Sequence, residues 1–170
     1  MNVRDILTLY DYHYWATRRV LAASVQVSPE QFMAPTALNS FGSLRGTLVH
    51  ALDSECGWRM LCQHQTLAFF RALKDDAFPT VDVLQKRWNE QECAMRDYLA
   101  RLTDENLTDY VRYTTDEGEK RERVLWHCLL HVVNHGTHHR SEAAAMLKGY
   151  GYPLEGLDFT LFLNEQRYLS

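Results

Sequence analysis

Five of the eight histidines in this chain, His127, His131, His135, His138 and His139, crowd into one short stretch. Imidazole is the commonest side-chain metal ligand and titrates near neutral pH. So many rings on one helix repel one another when protonated, unless a cation, a substrate or water occupies the face they share. The surrounding segment carries a helical apolar period, and chemistry is expected there.

Angular position sorts the cluster. With His131 at zero and ~100° per residue, the apolar residues Leu125, Cys128, Leu129, Val132, Val133, Ala143, Met146 and Leu147 spread over roughly 60 to 200° and define a core-facing side. His135 falls at about 40° and His139 at about 80°, bordering or entering that side, while His131, His138 and His127 lie progressively further around. Spaced four apart, His135 and His139 can aim at one point. A third ligand must come from another helix. His50, inside Leu48-Val-His-Ala-Leu52, is the best placed, whereas His64 sits near a frayed end. His13 reads as a satisfied core histidine more readily than as a fourth ligand. Histidines at this spacing can also form a plain polar face, but a pair at the core border with a partner on a neighbouring helix favours a shared ion.

The elements that must position these rings are four long helical patterns. The first runs from Val3 to Ser24 and stops ahead of Ser28-Pro29, and residues 29–42 read as a connection. Ser43 caps a second helix reaching Leu67 to Leu73, and Thr80 caps a third ending near Leu102. Between Leu107 and Arg123 the period changes to that of a short hairpin, or an irregular loop, with Gly118 at the turn. The fourth helix spans Val124 to Lys148 with Gly149 as its C-cap, and residues 159–168 are apolar enough to dock as a short final helix. The expected fold is all-α, a four-helix bundle with a hairpin or loop insertion before the last long helix, in one domain over residues 1–170.

Composition limits the partners. A net charge of -4 and a mixed-sign run, Glu119-Lys-Arg-Glu-Arg123, argue against nucleic acid or an anionic membrane. There is no signal-peptide pattern and no window of ~18 apolar residues, so a cytoplasmic location is expected. Cys56, Cys62, Cys93 and Cys128 form no CxxC pair and read as reduced, largely packed thiols. Aromatic residues on the first helix and the tail suit either a homodimer or a docked tail.

Spacing excludes several chemistries. No HExxH is present, because Gly136-Thr-His138 separates the two helix-four ligands and supplies no glutamate. No Glu-x-x-His pair supports a di-iron centre, and there is no GxSxG, phosphate loop or dinucleotide fingerprint. A mononuclear site remains.

The chain resembles the DinB-like family, also called the DinB/YfiT superfamily of metalloenzymes, over nearly its full length. The likeness is carried by Tyr12-His-Tyr-Trp15-Ala16-Thr-Arg, by His50 followed by Glu55 and Trp58, and by His131-Val-Val-Asn-His135-Gly-Thr-His-His139-Arg140. The resemblance implies a four-helix bundle that commonly dimerises and holds one divalent ion, often zinc or nickel, on three histidines that map to His50, His135 and His139. It implies a thiol-dependent transferase acting on a small molecule with a low-molecular-weight thiol. A hydrolase using metal-activated water is the alternative, and a stress-related metal-binding protein without turnover is a third reading. Many relatives carry glutamine where this chain has Glu142. At about 20°, Glu142 is placed to orient an imidazole, to offset cation charge, to carry a proton or to pair with a nearby basic residue. Arg140, at about 180°, faces the core and is expected to find a carboxylate there.

Overall fold

The computed structural model describes residues 1–37, 41–64, 70–115 and 118–166, and is mostly helical with a small two-stranded sheet. Helix α1 spans Val3–Ser24, with Asn2 and Asp5 forming a reciprocal capping box at its start. The expected connection contains a five-residue helix, α2 (Pro29–Met33), opened by Ser28, Pro29 and Gln31 in a second capping box. Helix α3 (Leu44–Cys62) starts where Ser43 Oγ accepts from the Gly46 amide at 2.9 Å. Helix α4 (Val81–Leu99) starts at Thr80, as its sequence signal indicates. Helix α5 (Leu125–Gly149) carries the histidine cluster, and α6 (Phe159–Glu165) follows a turn-rich tail.

Three boundaries differ from expectation, the first being the end of α4, which stops at Leu99 rather than near Leu102. Helix α3 ends at Cys62 rather than at Leu67 to Leu73, because His64 takes a left-handed φ of 57°. Residues 65–69, across which the helix was expected to continue, lie outside the described residues. Helix α5 runs through Gly149, Tyr150 caps it, and Gly151 adopts the left-handed φ of 91°.

Strands β1 (Tyr110–Thr114) and β2 (Lys120–Val124) form the antiparallel hairpin, with Tyr110 opposite Val124 and Thr114 opposite Lys120. Gly118 takes φ 84° at its turn, a region open to glycine at no steric cost. Residues 116 and 117 lie outside the described residues.

The four long helices pack in a closed square: α5 lies against α3 and α1, and α4 against both α1 and α3. Every apolar residue assigned to the inner face of α5 is buried. Two apolar clusters fill the interior. One joins the first half of α1 to the hairpin, the first half of α5 and α6, and includes Ile6, Tyr10, Leu129 and Phe162. The other joins the second half of α1 to α3, α4 and the second half of α5, and includes Val20, Leu48, Leu84 and Leu147. Between them each long helix contributes a buried polar residue: His13, Glu55, Gln91 and Arg140.

Tail and α1 are tied together. Tyr12 Oη donates to the Leu157 carbonyl at 3.0 Å, Trp15 Nε1 donates to Glu165 at 2.9 Å, and Arg19 pairs with the same carboxylate. Of the cysteines, Cys56, Cys62 and Cys128 are buried as free thiols, while Cys93 is exposed, contrary to its apolar-periodic setting. Among the described residues no helix is long and apolar enough to cross a membrane.

Candidate metal centre

Helix α5 sets His135 and His139 one turn apart, and α3, its broadest neighbour, brings His50 to meet them. His135 Nε2 lies 3.3 Å from His50 Nε2 and 3.2 Å from His139 Nε2. All three ring nitrogens fall within 4.8 Å of one another. Lone pairs this close require a proton or a cation between them. Tetrahedral zinc with Zn–N of about 2.0–2.1 Å places two imidazole nitrogens roughly 3.3 Å apart, so the donor set and its spacing suit a divalent ion of that size.

The rings are held from behind. Glu142 Oε2 lies 2.7 Å from His139 Nδ1, so that nitrogen carries the proton and donates to the carboxylate. Nε2 is thereby left as the lone-pair side facing His135. The other carboxylate oxygen lies 3.4 Å from His138 Nε2. Glu142 thus stands against both neighbouring rings, in reach of orienting His139 and of pairing with His138. His138, His139 and Glu142 form a second compact group of possible ligands.

Phe41 covers the site. Its ring stacks on His50 at 3.7 Å and 14° and meets His139 edge-on at 5.2 Å. This residue escaped the sequence reading because it sits in the connection ahead of α3, where no period links it to the histidines.

Electrostatics keeps two of the three rings neutral. Burial, then the neighbouring His139, lowers His50 to about 4. Burial, then His139, His50 and two further α5 histidines, lowers His135 to about 3. Both rings are therefore unprotonated at neutral pH and able to act as ligands.

Behind the candidate centre lies the polar belt. Arg140 Nη1 donates to His13 Nδ1 at 2.9 Å, which leaves the His13 proton on Nε2, donated to Glu55 Oε2 at 2.8 Å. Tyr14 Oη (2.6 Å) and Gln91 Nε2 (3.3 Å) donate to Glu55 Oε1. Burial alone would raise the Glu55 carboxyl, yet His13, Tyr14 and Gln91 outweigh it and hold it below its ordinary value. Burial and the Arg140 charge lower His13, in keeping with a neutral ring between a carboxylate and a guanidinium.

The expected direct carboxylate partner of Arg140 is thus replaced by an imidazole. Its other contacts are Thr17, Thr137 and the Tyr12 ring, whose centroid lies 5.7 Å from the guanidinium carbon, and Glu55 is reached through His13. Gly136 makes the arrangement possible. A Cβ there would sit 2.4 Å from His13 Cε1 and 2.8 Å from Arg140 Nη1. His13 is accordingly a core residue joined to the belt, and His131 leans on Trp58, with ring centroids 4.9 Å apart.

The chain is 26% identical over 165 residues to Protein DinB of Bacillus subtilis (strain 168), the match covering 91% of each chain. The DinB family matches residues 1–168, and the chain belongs to that family.

Proposed function

We propose that this chain is a single-domain four-helix-bundle metalloprotein that binds one divalent ion, zinc or nickel, through Nε2 of His50, His135 and His139, and acts as a thiol S-transferase. The observation that carries the reading is the convergence of three imidazoles, with His135 Nε2 at 3.3 Å from His50 Nε2 and 3.2 Å from His139 Nε2, a spacing that suits two ligands of one tetrahedral ion. When bound, such an ion supplies Lewis acidity, lowering the pKa of a thiol placed against it so that the nucleophile forms at neutral pH.

The chain's own residues do the rest. Glu142 fixes the tautomer and tilt of His139, Phe41 shields one face of the His50 ring from water, and the belt of Glu55, His13 and Arg140 fixes the spacing of α1, α3 and α5. The geometry also favours turnover over mere bracing of the bundle. His13 is engaged by Glu55 and Arg140, and Glu142 serves the far nitrogen of His139, so among the described residues no fourth side chain joins the three-histidine group.

Elemental analysis of untagged protein tests the first step, with one divalent ion per chain expected in the wild type and none in His50→Ala. For the second step, metal-loaded protein is incubated with cellular thiols and an electrophile panel. Thiol-dependent turnover that vanishes in His139→Ala supports the transferase. Turnover equal in the two proteins removes it, and hydrolysis without added thiol moves the assignment to the hydrolase alternative.

A further inference from the structure

A second feature adjoins the candidate centre. A cavity of about 360 Å³, open to solvent, lies between the hairpin and the start of α5, lined by Trp58, Tyr113, Arg123, His127, Cys128 and His131. Its size is within the range of small-molecule sites. Its aromatic wall is continuous with the histidine cluster: Tyr113 meets Trp58 edge-on at 5.3 Å, Trp58 lies 4.9 Å from His131, and His131 lies 5.6 Å from His135.

The charge in this cleft has one sign. Arg123 pairs in register with Val111, which is fully buried, so its side chain leaves the hairpin on the face turned toward the helices. The opposite face carries the ion pair of Arg112 with Glu122. Arg123 Nη1 donates to the Glu122 carbonyl oxygen, and neither Asp nor Glu appears among the described lining residues. A guanidinium with four further N–H donors, beside an imidazole and two aromatic faces, suits a carboxylate attached to a slender body. His127 and His135 are eight residues apart on α5, about 12 Å along the axis.

We propose that this cleft is the substrate subsite of the histidine centre, holding a carboxylate-bearing thiol by Arg123, with its body against Trp58 and Tyr113 and its sulfur turned toward the histidines. This assignment rests on the metal-dependent reading above, but its carboxylate contact exists with or without a metal.

S-methylglutathione, which keeps both carboxylates and lacks a free thiol, separates the two. Calorimetric titration of metal-free protein is expected to show saturable binding, weakened roughly tenfold or more in Arg123→Gln, as for loss of a charge-assisted pair. Arg112→Gln, on the outer face of the hairpin, is expected to bind like wild type. The probe is also expected to shift tryptophan emission in wild type and not in Trp58→Phe. Absence of saturable binding at millimolar probe, or equal affinity in wild type and Arg123→Gln, overturns the subsite even if elemental analysis finds the ion. Arg123-dependent binding in a protein that takes up no ion sustains the carboxylate site while removing the thiol chemistry on which its role depends.

Discussion

Glu142 touches two neighbouring rings through different oxygens, and the 2.7 Å contact to His139 is the one that bears on the candidate centre. Glutamine at this position retains a carbonyl that can accept from Nδ1, whereas alanine retains nothing. Glu142→Ala is expected to weaken metal binding about 10- to 100-fold and Glu142→Gln by distinctly less, measured by competition with a chromophoric chelator. Equal losses would assign the effect to charge rather than to orientation. Glu55 presents the opposite situation, a buried carboxylate whose removal strands Arg140 without its nearest negative charge. Glu55→Ala is expected to cost about 3–5 kcal/mol in denaturant unfolding. The convergence of the histidines was legible one residue at a time, since angle and spacing single out His135 and His139 and the apolar setting of Leu48 to Leu52 singles out His50. The belt was not legible as a chain, because His13, Glu55 and Arg140 come from three helices and carry no shared period. Arg140 shows the difference: its angle places it in the core, but only packing reveals that an imidazole stands between it and the carboxylate.

At the scale of elements, α1, the caps of α3 and α4 and the hairpin with its glycine turn all follow from apolar period and capping chemistry. Helix α2 was missed although its signal was present, because Pro29 was read as a breaker when a proline at the first helical position, after Ser28 and ahead of Gln31, starts a helix. The stop of α3 had no such signal, since a left-handed histidine leaves no mark in composition. Gly136 belongs here too, because it controls how closely α5 approaches α1. Gly136→Ala is expected to destabilise the protein by about 1–3 kcal/mol and to lower metal affinity by displacing α5, read by urea unfolding and chelator competition. An alanine variant as stable as wild type would mean that His13 has room to retreat.

For the molecule as a whole, the lowered His50 and His135 make folding of the metal-free protein sensitive to acid. Above the ordinary histidine pKa of about 6.5, folded and unfolded states both hold neutral rings and stability is full. As pH falls through 6.5 toward about 4 and about 3, the unfolded chain takes up protons that the folded one refuses, so stability declines across that window. Thermal melts in chelator are expected to show Tm falling as pH drops from 6.5 to 5, and a His50→Asn, His135→Asn double variant to show a flatter profile. Parallel profiles would exclude these two rings as the source. The junction of hairpin and helix also has a mechanical consequence. Strand β2 ends at Val124 and α5 begins at Leu125, whose amide is anchored to the Asp109 carbonyl at 2.8 Å. With no hinge between them, ribbon and rod move as one lever, so a tilt of the ribbon is passed into the turns that carry His127 and His131. Amide exchange on the two sides of that junction should therefore rise and fall together, and any molecule gripped by the ribbon would tug on the histidine-bearing rod itself.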